Sequence, residues 1–496
     1  MKVHNPMISY HSLEGGKSDR VMGVDAHPDV SEGVVVFATV GGGGSGEVRI
    51  WSIAPGDEQP KFRSALAKGH DGSVNCARWA PDGCRLASAG DRGTVCLWRG
   101  GSDAAWWCEL DEKNERARCD HLNHADDVYD VAWSPCGKWL LTGAIDGSAT
   151  VWDTCTRRPV KVLRDHAHYI QGVCWDPLGN YLATASSDRS LKVYELPPKW
   201  HASKKNLKTT TVRWWTDPHE IPQKKGKKTT DEPKAKPRSA LFASETAHAS
   251  FFRRLCASAD GSLIITPGAA SKENTKGSVT LHKAQLDRGP VSFLPSPDGS
   301  ATACRACPAL VDGGVSSLVA VCAHDAVAVY DVSQNEPRAL ASGLHYAALT
   351  DAAWAADASV LIVASADGYL SFLRFEPGDL GAKCAAPPRV PLPAGLDDLP
   401  RAPPSQPKVD DDVVLVGVTP APPQAPSTPG GAAPPASPAG SAKKKKRIAP
   451  TLLAPPTPVK SPAKSPAKEP APEADAAAPP AKKKKRIAPT LLQPVP

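Results

Sequence analysis

The feature that most constrains the fold is a pattern of residues that occurs three times between Gly69 and Glu195. The copies read GHDGSVNCARWAPDGCRLASAGDRGTVCLW, NHADDVYDVAWSPCGKWLLTGAIDGSATVWD and DHAHYIQGVCWDPLGNYLATASSDRSLKVYE. In each, a histidine precedes an alternating strand, a proline-containing turn, a second strand, a polar turn and a third strand ending in Trp or Tyr. Repetition of short strands at intervals of about 40–55 residues indicates a repeat architecture rather than a single irregular domain.

These segments resemble repeats of the WD40 family, whose members fold as β-propellers. In the second copy, His124, Thr142, Asp146 and Trp152 match the hydrogen-bonded tetrad of that family. A buried histidine, hydroxyl and carboxylate must satisfy one another, so we expect a structural role for them rather than a catalytic one. The other copies depart from the pattern, the third by a tyrosine in place of tryptophan and the first by an aspartate one residue farther from it: His166, Thr184, Asp188 and Tyr194; His70, Ser88, Asp91 and Trp98.

Weaker copies of the pattern extend it to seven units. They end near Trp51, occupy residues 251–283, end at Tyr330 and occupy residues 344–375. The sequence therefore predicts an all-β fold, a seven-bladed WD40 β-propeller over residues 1–380. We expect a strand around Val3–His11 to complete the last blade, because closure hides the edges of the sheets.

Two segments interrupt or follow the predicted propeller. The net charge is +7 for the whole chain, +10 for residues 440–496 and +8 for residues 199–238, which leaves −11 for the rest. Residues 199–247 are basic and poor in aliphatic side chains, which predicts a disordered insertion between blades four and five. Residues 381–496 are rich in Pro, Ala and Lys and predict a long disordered tail. The acidic remainder favours basic protein partners over bare nucleic acid.

Several classes of protein are disfavoured by the sequence. No apolar run approaches the roughly 20 residues of a transmembrane helix, and the N-terminus has no apolar signal-peptide core, so we expect no membrane association. The cysteines are scattered singly, which is typical of a reducing compartment. Cys304 and Cys307 have no second pair at zinc-finger spacing, so we expect no metal and no cofactor. The glycine run at 41–46 follows a strand pattern and reads as a turn, and no catalytic motif accompanies it, so we expect no enzyme.

A more specific resemblance comes from ASFFRRLCASADGSLIITPGAA, YIQGVCWDPLGNYLATASSDRSLKVY and LHYAALTDAAW together with SADGYLSFLRFEPGDLG. These stretches are similar to the middle-subunit family of chromatin assembly factor 1, and the resemblance covers most of residues 1–380. It implies a nuclear, non-catalytic scaffold in a histone chaperone complex that deposits histones H3–H4 on DNA during replication and repair. The implied partners are the large subunit of that complex, H3–H4 through the complex and an anti-silencing function chaperone. Phe251 to Arg254 are family-like residues, with the phenylalanines expected to be buried.

The tail carries one motif twice without a change, AKKKKRIAPTLL from Ala442 and again from Ala481. Proline after Ala449 forbids a continuing helix, so the segment is expected to bind extended, adding to an exposed sheet edge of a partner. The resemblance implies that residues 443–453 and 482–492 bind the anti-silencing chaperone. The residues that would make these contacts are Arg447, Ile448, Ala449, Pro450, Thr451 and Leu452, with Arg486, Ile487, Ala488, Pro489, Thr490 and Leu491 in the second copy.

The lysines beside each motif would steer association with an acidic partner and could serve nuclear import. They are Lys443, Lys444, Lys445 and Lys446, and Lys482, Lys483, Lys484 and Lys485. Between the copies, Thr457, Ser461 and Ser465 each precede proline, which is typical of proline-directed phosphorylation or of a solubilising spacer. A phosphate there would oppose the charge of the lysines.

Other functions remain open at this stage. The chain could be the propeller subunit of the replication-independent histone regulator complex, although that relative carries a further folded domain. It could also be a ubiquitin-ligase substrate receptor, but no adaptor-docking element is evident. Weak DNA contact by the basic arms is a third alternative, although they lack interleaved aromatic residues except Trp214 and Trp215.

Overall fold

The computed structural model describes residues 1–6, 8–11, 18–43, 46–99, 118–203, 205–213, 241–242, 251–271, 276–297, 299–311 and 316–381. Within these ranges the chain forms seven antiparallel four-stranded sheets, and strand order in six of them follows the sequence. The prediction of a seven-bladed propeller is confirmed.

Each blade has its first strand innermost and its fourth strand outermost. Blades 1 to 4 consist of β2 Val21–Ser31, β3 Val34–Gly41, β4 Val48–Ile53 and β5 Lys61–Leu66; β6 Val74–Trp79, β7 Arg85–Gly90, β8 Thr94–Arg99 and β9 Arg118–Asn123; β10 Val128–Trp133, β11 Trp139–Ala144, β12 Ala149–Asp153 and β13 Arg158–Leu163; β14 Ile170–Trp175, β15 Tyr181–Ser186, β16 Ser190–Glu195 and β17 Lys208–Val212.

The remaining blades repeat the same order. Blades 5 to 7 consist of β18 Cys256–Ala257, β19 Leu263–Ala270, β20 Lys276–His282 and β21 Ser292–Pro295; β22 Ala303–Val311, β23 Ser316–Cys322, β24 Val327–Asp331 and β25 Glu336–Ala341; β26 Leu349–Trp354, β27 Val360–Ser365, β28 Leu370–Arg374 and the N-terminal β1 Lys2–His4. Short 3-10 turns are Asp91–Gly93, Trp200–Ala202 and Lys283–Arg288. Among the described residues, no helix is long and apolar enough to cross a membrane.

The ring closes through the two ends of the propeller sequence. Strand β1 pairs antiparallel with β28, with Val3 opposite Leu373, and so supplies the outermost strand of blade 7. The α-amino group of Met1 also lies 2.6 Å from Asp379 Oδ2. This confirms the expected closure, with a strand shorter than the Val3–His11 range.

The hydrophobic core lies between blades, because each strand alternates its side chains between the two faces of its sheet. Between blades 1 and 2, for example, Val48 and Ile50 pack with Leu86, Cys96 and Trp98. The predicted turn at Gly41–Gly46 joins β3 to β4, although residues 44 and 45 lie outside the described residues.

The predicted insertion at 199–247 is wrong in its first part. Trp200 is buried against Trp139, with ring centroids 5.6 Å apart, and Lys208–Val212 forms the outer strand of blade 4. An outermost strand needs few aliphatic residues, and the β-branched run Thr209–Thr211 suits an extended backbone. Leu241 and Phe242 are buried against blades 4 and 5. Residues 214–240 and 243–247 of that segment lie outside the described residues, as does the predicted tail from residue 382.

Candidate functional site

The predicted tetrad of blade 3 lies where the inner strand begins. His124 Nε2 is 2.6 Å from Thr142 Oγ1, and Trp152 Nε1 donates to the same oxygen at 3.0 Å. Asp146 Oδ1 accepts from Ser148 N at 2.9 Å. Burial lowers the pKa of His124 to about 4, against the opposing charge of Asp146. The neutral imidazole joins strands of one blade, which is a structural arrangement.

Blades 4 and 7 contain closer histidine–carboxylate pairs. His166 Nδ1 lies 3.0 Å from Asp188 Oδ2, and its Nε2 lies 2.7 Å from Thr184 Oγ1. Burial opposes ionisation, but hydrogen bonds from His166 and Ser190 hold the pKa of Asp188 well below its usual range. In blade 7, His345 contacts Asp367 at 3.1 Å and Ser371 Oγ at 2.7 Å.

The histidine of blade 2 has a hydroxyl partner, as in the other blades. His70 Nε2 lies 2.6 Å from Ser88 Oγ, which also accepts from Trp98 Nε1 at 2.8 Å. His70 Nδ1 is buried without a hydrogen-bond partner. Asp91 Oδ1 instead lies 3.3 Å from Asn75 Nδ2.

Sequence spacing explains the difference between these blades. The histidine and aspartate are 22 residues apart in blades 4 and 7. In blade 2 they are 21 residues apart. The same spacing of 22 would have identified His345, which the sequence analysis missed.

A larger polar network lies on the propeller axis and centres on Arg254. Its side chain is fully buried. The guanidinium donates to the carbonyl oxygens of Met22 at 2.9 Å, Asn75 at 2.6 Å and Thr350 at 3.0 Å. Its Nη1 also lies 2.9 Å from Asp351 Oδ2. Since these partners belong to the inner strands of blades 1, 2 and 7, the arginine crosses the centre of the ring from blade 5.

Two further arginines surround the same carboxylate. Arg78 Nη1 lies 2.9 Å from Asp351 Oδ2, and Arg305 Nη2 lies 2.7 Å from Asp351 Oδ1. Burial opposes ionisation, but the three arginines hold the pKa of Asp351 well below its usual range. Arg78 also reaches Asp130, whose Oδ2 accepts from the amide of Val173 at 3.1 Å. Inner-strand or adjacent residues of all seven blades thus meet in this central network.

The segment that carries Arg254 fits between blades 4 and 6. Arg253 N donates to Gln171 O, and Cys304 N donates to Arg254 O at 2.7 Å. A Cβ on Gly172 would lie 2.0 Å from Arg253 O, so this close approach requires glycine. The expectation that both phenylalanines are buried is right for Phe252 and wrong for Phe251, whose exposed fraction is 66%.

The sequence analysis missed the acidic members of this network. Asp130 and Asp351 each stand three residues before the tryptophan of an inner strand, in VYDVAW and LTDAAW. A carboxylate inside an otherwise apolar strand must be paired when it is buried, and that signal would have predicted the network.

One end of the ring combines aromatic and acidic side chains. The rings of Tyr129 and Tyr169 meet edge to face at 6.2 Å, and Tyr129 also meets Phe252 at 6.0 Å. The Arg254 guanidinium lies 4.1 Å from the centroid of Phe252, so the cluster rests on the central network. Burial raises the pKa of Tyr129, as do the nearby charges of three carboxylates, Asp127, Asp91 and Asp126. We call the set Tyr129, Tyr169, Phe251, Asp91, Asp126 and Asp127 the aromatic–acidic surface.

The other predicted site residues lie outside the described residues. These are the tail residues 443–453 and 482–492, with their lysines, and Thr457, Ser461 and Ser465. The pair Cys304 and Cys307 is buried in blade 6, where Cys304 Sγ lies 3.3 Å from Ser278 Oγ.

Comparison with known proteins places the chain among histone chaperone subunits. The family model described as the CAF1B/HIR1 beta-propeller domain matches residues 1–380. The CAF1B-type protein of chromatin assembly factor 1 from Gallus gallus is 28% identical over 69% of this chain and 63% of its own length. The chromatin assembly factor 1 FAS2 homolog from Oryza sativa is 30% identical over 73% of this chain and 71% of its own length.

Relatives of the second kind match less of their own length. Protein HIR1 of Eremothecium gossypii is 26% identical over 68% of this chain but 43% of its own length. The chain likewise spans less than two thirds of the chicken and mouse relatives from chromatin assembly factor 1, at 63% and 61%. The seven-bladed fold and the family match over residues 1–380 together show that this chain belongs to the CAF1B/HIR1 β-propeller family.

Proposed function

We propose that this protein is a nuclear, non-catalytic scaffold subunit of a chromatin assembly factor 1 type histone chaperone complex. The observation that carries the proposal is the family match over residues 1–380 combined with the duplicated tail motif. In this proposal the propeller binds the large subunit, and the tail motifs bind the anti-silencing chaperone. The complex deposits H3–H4 on DNA during replication and repair.

The buried polar groups support a scaffold. The histidines of blades 2, 3 and 4 are each paired with a hydroxyl inside the blade. The central arginine network is closed upon itself by backbone carbonyls and by Asp351. Such satisfied groups stabilise a rigid ring, and a rigid ring presents several protein-binding surfaces at once.

The aromatic–acidic surface is suited to a basic protein segment. Phe251 offers an exposed apolar side chain, and Asp126 is exposed close to Tyr129. Aromatic side chains supply contact area at interfaces, and carboxylates steer a basic partner toward them. The net charge of −11 outside the two basic segments points the same way.

In each tail motif, distinct roles follow from side-chain chemistry. Ile448 would occupy an apolar pocket, and Arg447 would form a forked contact with a carboxylate. Pro450 would stiffen the extended form and reduce the entropy lost on binding. The lysines would mainly raise the association rate, and phosphate at Ser461 or Ser465 would reduce that effect.

The histone regulator subunit is the second candidate, because the match to HIR1 also covers 68% of this chain. The two candidates differ in the large protein that would copurify. Recovery of the large subunit of chromatin assembly factor 1 supports the first, whereas recovery of histone regulator subunits in its place supports the second.

A pull-down of the tagged full chain from nuclei tests the proposal. The double variant Ile448→Ala and Ile487→Ala is expected to lose the anti-silencing chaperone and to retain the large subunit. A second variant, Phe251→Ala with Asp126→Asn, is expected to retain the anti-silencing chaperone and to recover less H3–H4 or large subunit. Val459→Ala, an apolar truncation between the motifs, is the matched control and should change nothing. Unchanged recovery of the anti-silencing chaperone by the double variant would contradict the tail proposal.

A further inference from the structure

Two cysteines and a histidine meet on the outer half of blade 2. In the antiparallel pair β8–β9, Cys96 stands opposite His121 and Trp98 stands opposite Cys119. Side chains two residues apart on a strand share a face, so Cys119 and His121 project on the same side as Cys96. Their sulfur and nitrogen atoms all lie within 4.8 Å of one another.

These distances suit a tetrahedral metal site. With metal–sulfur bonds of about 2.3 Å and metal–nitrogen bonds of about 2.0–2.1 Å, adjacent sulfur and nitrogen ligands are roughly 3.5 Å apart. Cys96 Sγ and His121 Nδ1 are 3.6 Å apart. The Cys96–His121 edge of the tetrahedron is thus present before any metal binds.

The surroundings leave room for a fourth ligand. Cys96 is buried, Cys119 is half-buried and His121 is exposed, so the cluster opens to solvent on one side. On the closed side, Cys96 Sγ lies 3.1 Å from the carbonyl oxygen of Gly69. A Cβ on Gly69 would lie 3.0 Å from that sulfur, and 2.3 Å from the ring of Trp98, so glycine is required there.

We propose that Cys96, Cys119 and His121 bind a thiophilic divalent cation of the Zn²⁺ class, with water as the fourth ligand. Two thiolates and an imidazole favour zinc over the hard cations that prefer oxygen ligands. On binding, each thiol loses its proton to solvent and the sulfur donates an electron pair to the metal, with no redox change. The metal would join the outermost strand β9 to β8. Strand β9 follows the long connection of residues 100–117, so a cross-link there would hold its register.

The site differs from the cysteine pair that the sequence analysis considered. Cys304 and Cys307 lie in blade 6, and no His, Asp or Glu completes a cluster with them among the described residues. The three residues of blade 2 come from two strands, with Cys119 and His121 lying 23 and 25 positions after Cys96, a spacing that only strand pairing brings together.

Cobalt substitution tests the proposal on the full chain. The protein is reduced with a phosphine, freed of metal with a chelator and titrated with Co²⁺. We expect one Co²⁺ per chain with the sulfur-to-metal charge-transfer and visible bands of a tetrahedral thiolate site, and displacement by Zn²⁺. Cys119→Ser and His121→Ala should each weaken binding by about tenfold or more, since even changes beyond the ligands cost that much.

Controls separate ligand loss from misfolding. Cys84→Ser and Cys155→Ser change exposed cysteines elsewhere and should bind Co²⁺ like the intact chain. The buried Cys96 is left unchanged, and circular dichroism checks that each variant keeps the native strand signal. Absence of tetrahedral bands in the intact chain, or their survival in both ligand variants, would overturn the proposal. A Cys96–Cys119 disulfide persisting under the reducing conditions would overturn it as well.

Discussion

The axis and the rim of the propeller use buried polar groups in different ways. On the axis, Arg254 crosses from blade 5 to carbonyls of blades 1, 2 and 7, so one side chain connects distant parts of the ring. Near the rim, His124 or His166 connects strands within one blade. The comparison teaches that loss of an axial group should weaken the whole ring, whereas loss of a rim group should weaken mainly its own blade.

The largest effect is expected from Arg254→Met. The substitution leaves Asp351 with fewer compensating charges and removes donors from three buried carbonyls, so we expect a loss of about 3–5 kcal/mol in the free energy of unfolding. Thermal and urea unfolding measure it. Arg92→Met is the matched control, since Arg92 forms an exposed ion pair with Asp71 that should contribute about 0–1 kcal/mol. Equal effects of the two substitutions would remove the distinction between axis and rim.

A smaller effect is expected from Asp188→Asn in blade 4. Asp188 accepts from the amide of Ala167 and contacts His166, so we expect a loss of about 1.5–3 kcal/mol. Asp91→Asn is its counterpart in blade 2, where Asn75 rather than the histidine is the partner, and the change should stay within about 0.5 kcal/mol. Urea unfolding of both variants would show whether the one-residue difference in spacing has this consequence.

The pH dependence should reveal the buried histidines of the rim. Burial lowers the pKa of His11 to about 3 and the pKa of His70 and His124 to about 4. Their pKa in the unfolded chain is about 6.5, so between these values the unfolded state binds more protons and the folded state loses stability as pH falls. Burial raises the pKa of Asp25 to about 6, which acts in the opposite direction between about pH 4 and 6.

We expect the melting temperature to fall steadily from about pH 6.5 to about pH 4.5, because three histidines oppose one aspartate. His124→Gln should flatten that dependence, and the exposed His168→Gln should leave it unchanged. A melting temperature that rises as the pH is lowered would show that Asp25 dominates.

Much of the fold was predictable because the repeat pattern is local. Blades 3 and 4 show complete strand and turn signals, and the structure has their strands where those signals lie. The outer strand β17 was not predictable from apolar content, because Thr209–Thr211 present one face to solvent and need only pair with β16. Blade 5 was recognised, yet the placement of Arg254 on the axis depends on contacts with residues more than 90 positions away.

The sequence by itself determined that this chain repeats a β unit, that a basic motif occurs twice in the tail, and which family it resembles. These are properties of residue order, and spacing is enough to show them. Only the tertiary structure decided that Arg78, Arg254 and Arg305 converge on Asp351, that Phe251 is exposed while Phe252 is buried, and that Cys96, Cys119 and His121 share one face. Strand pairing and ring closure bring these groups together, and both depend on distant partners that local sequence does not specify.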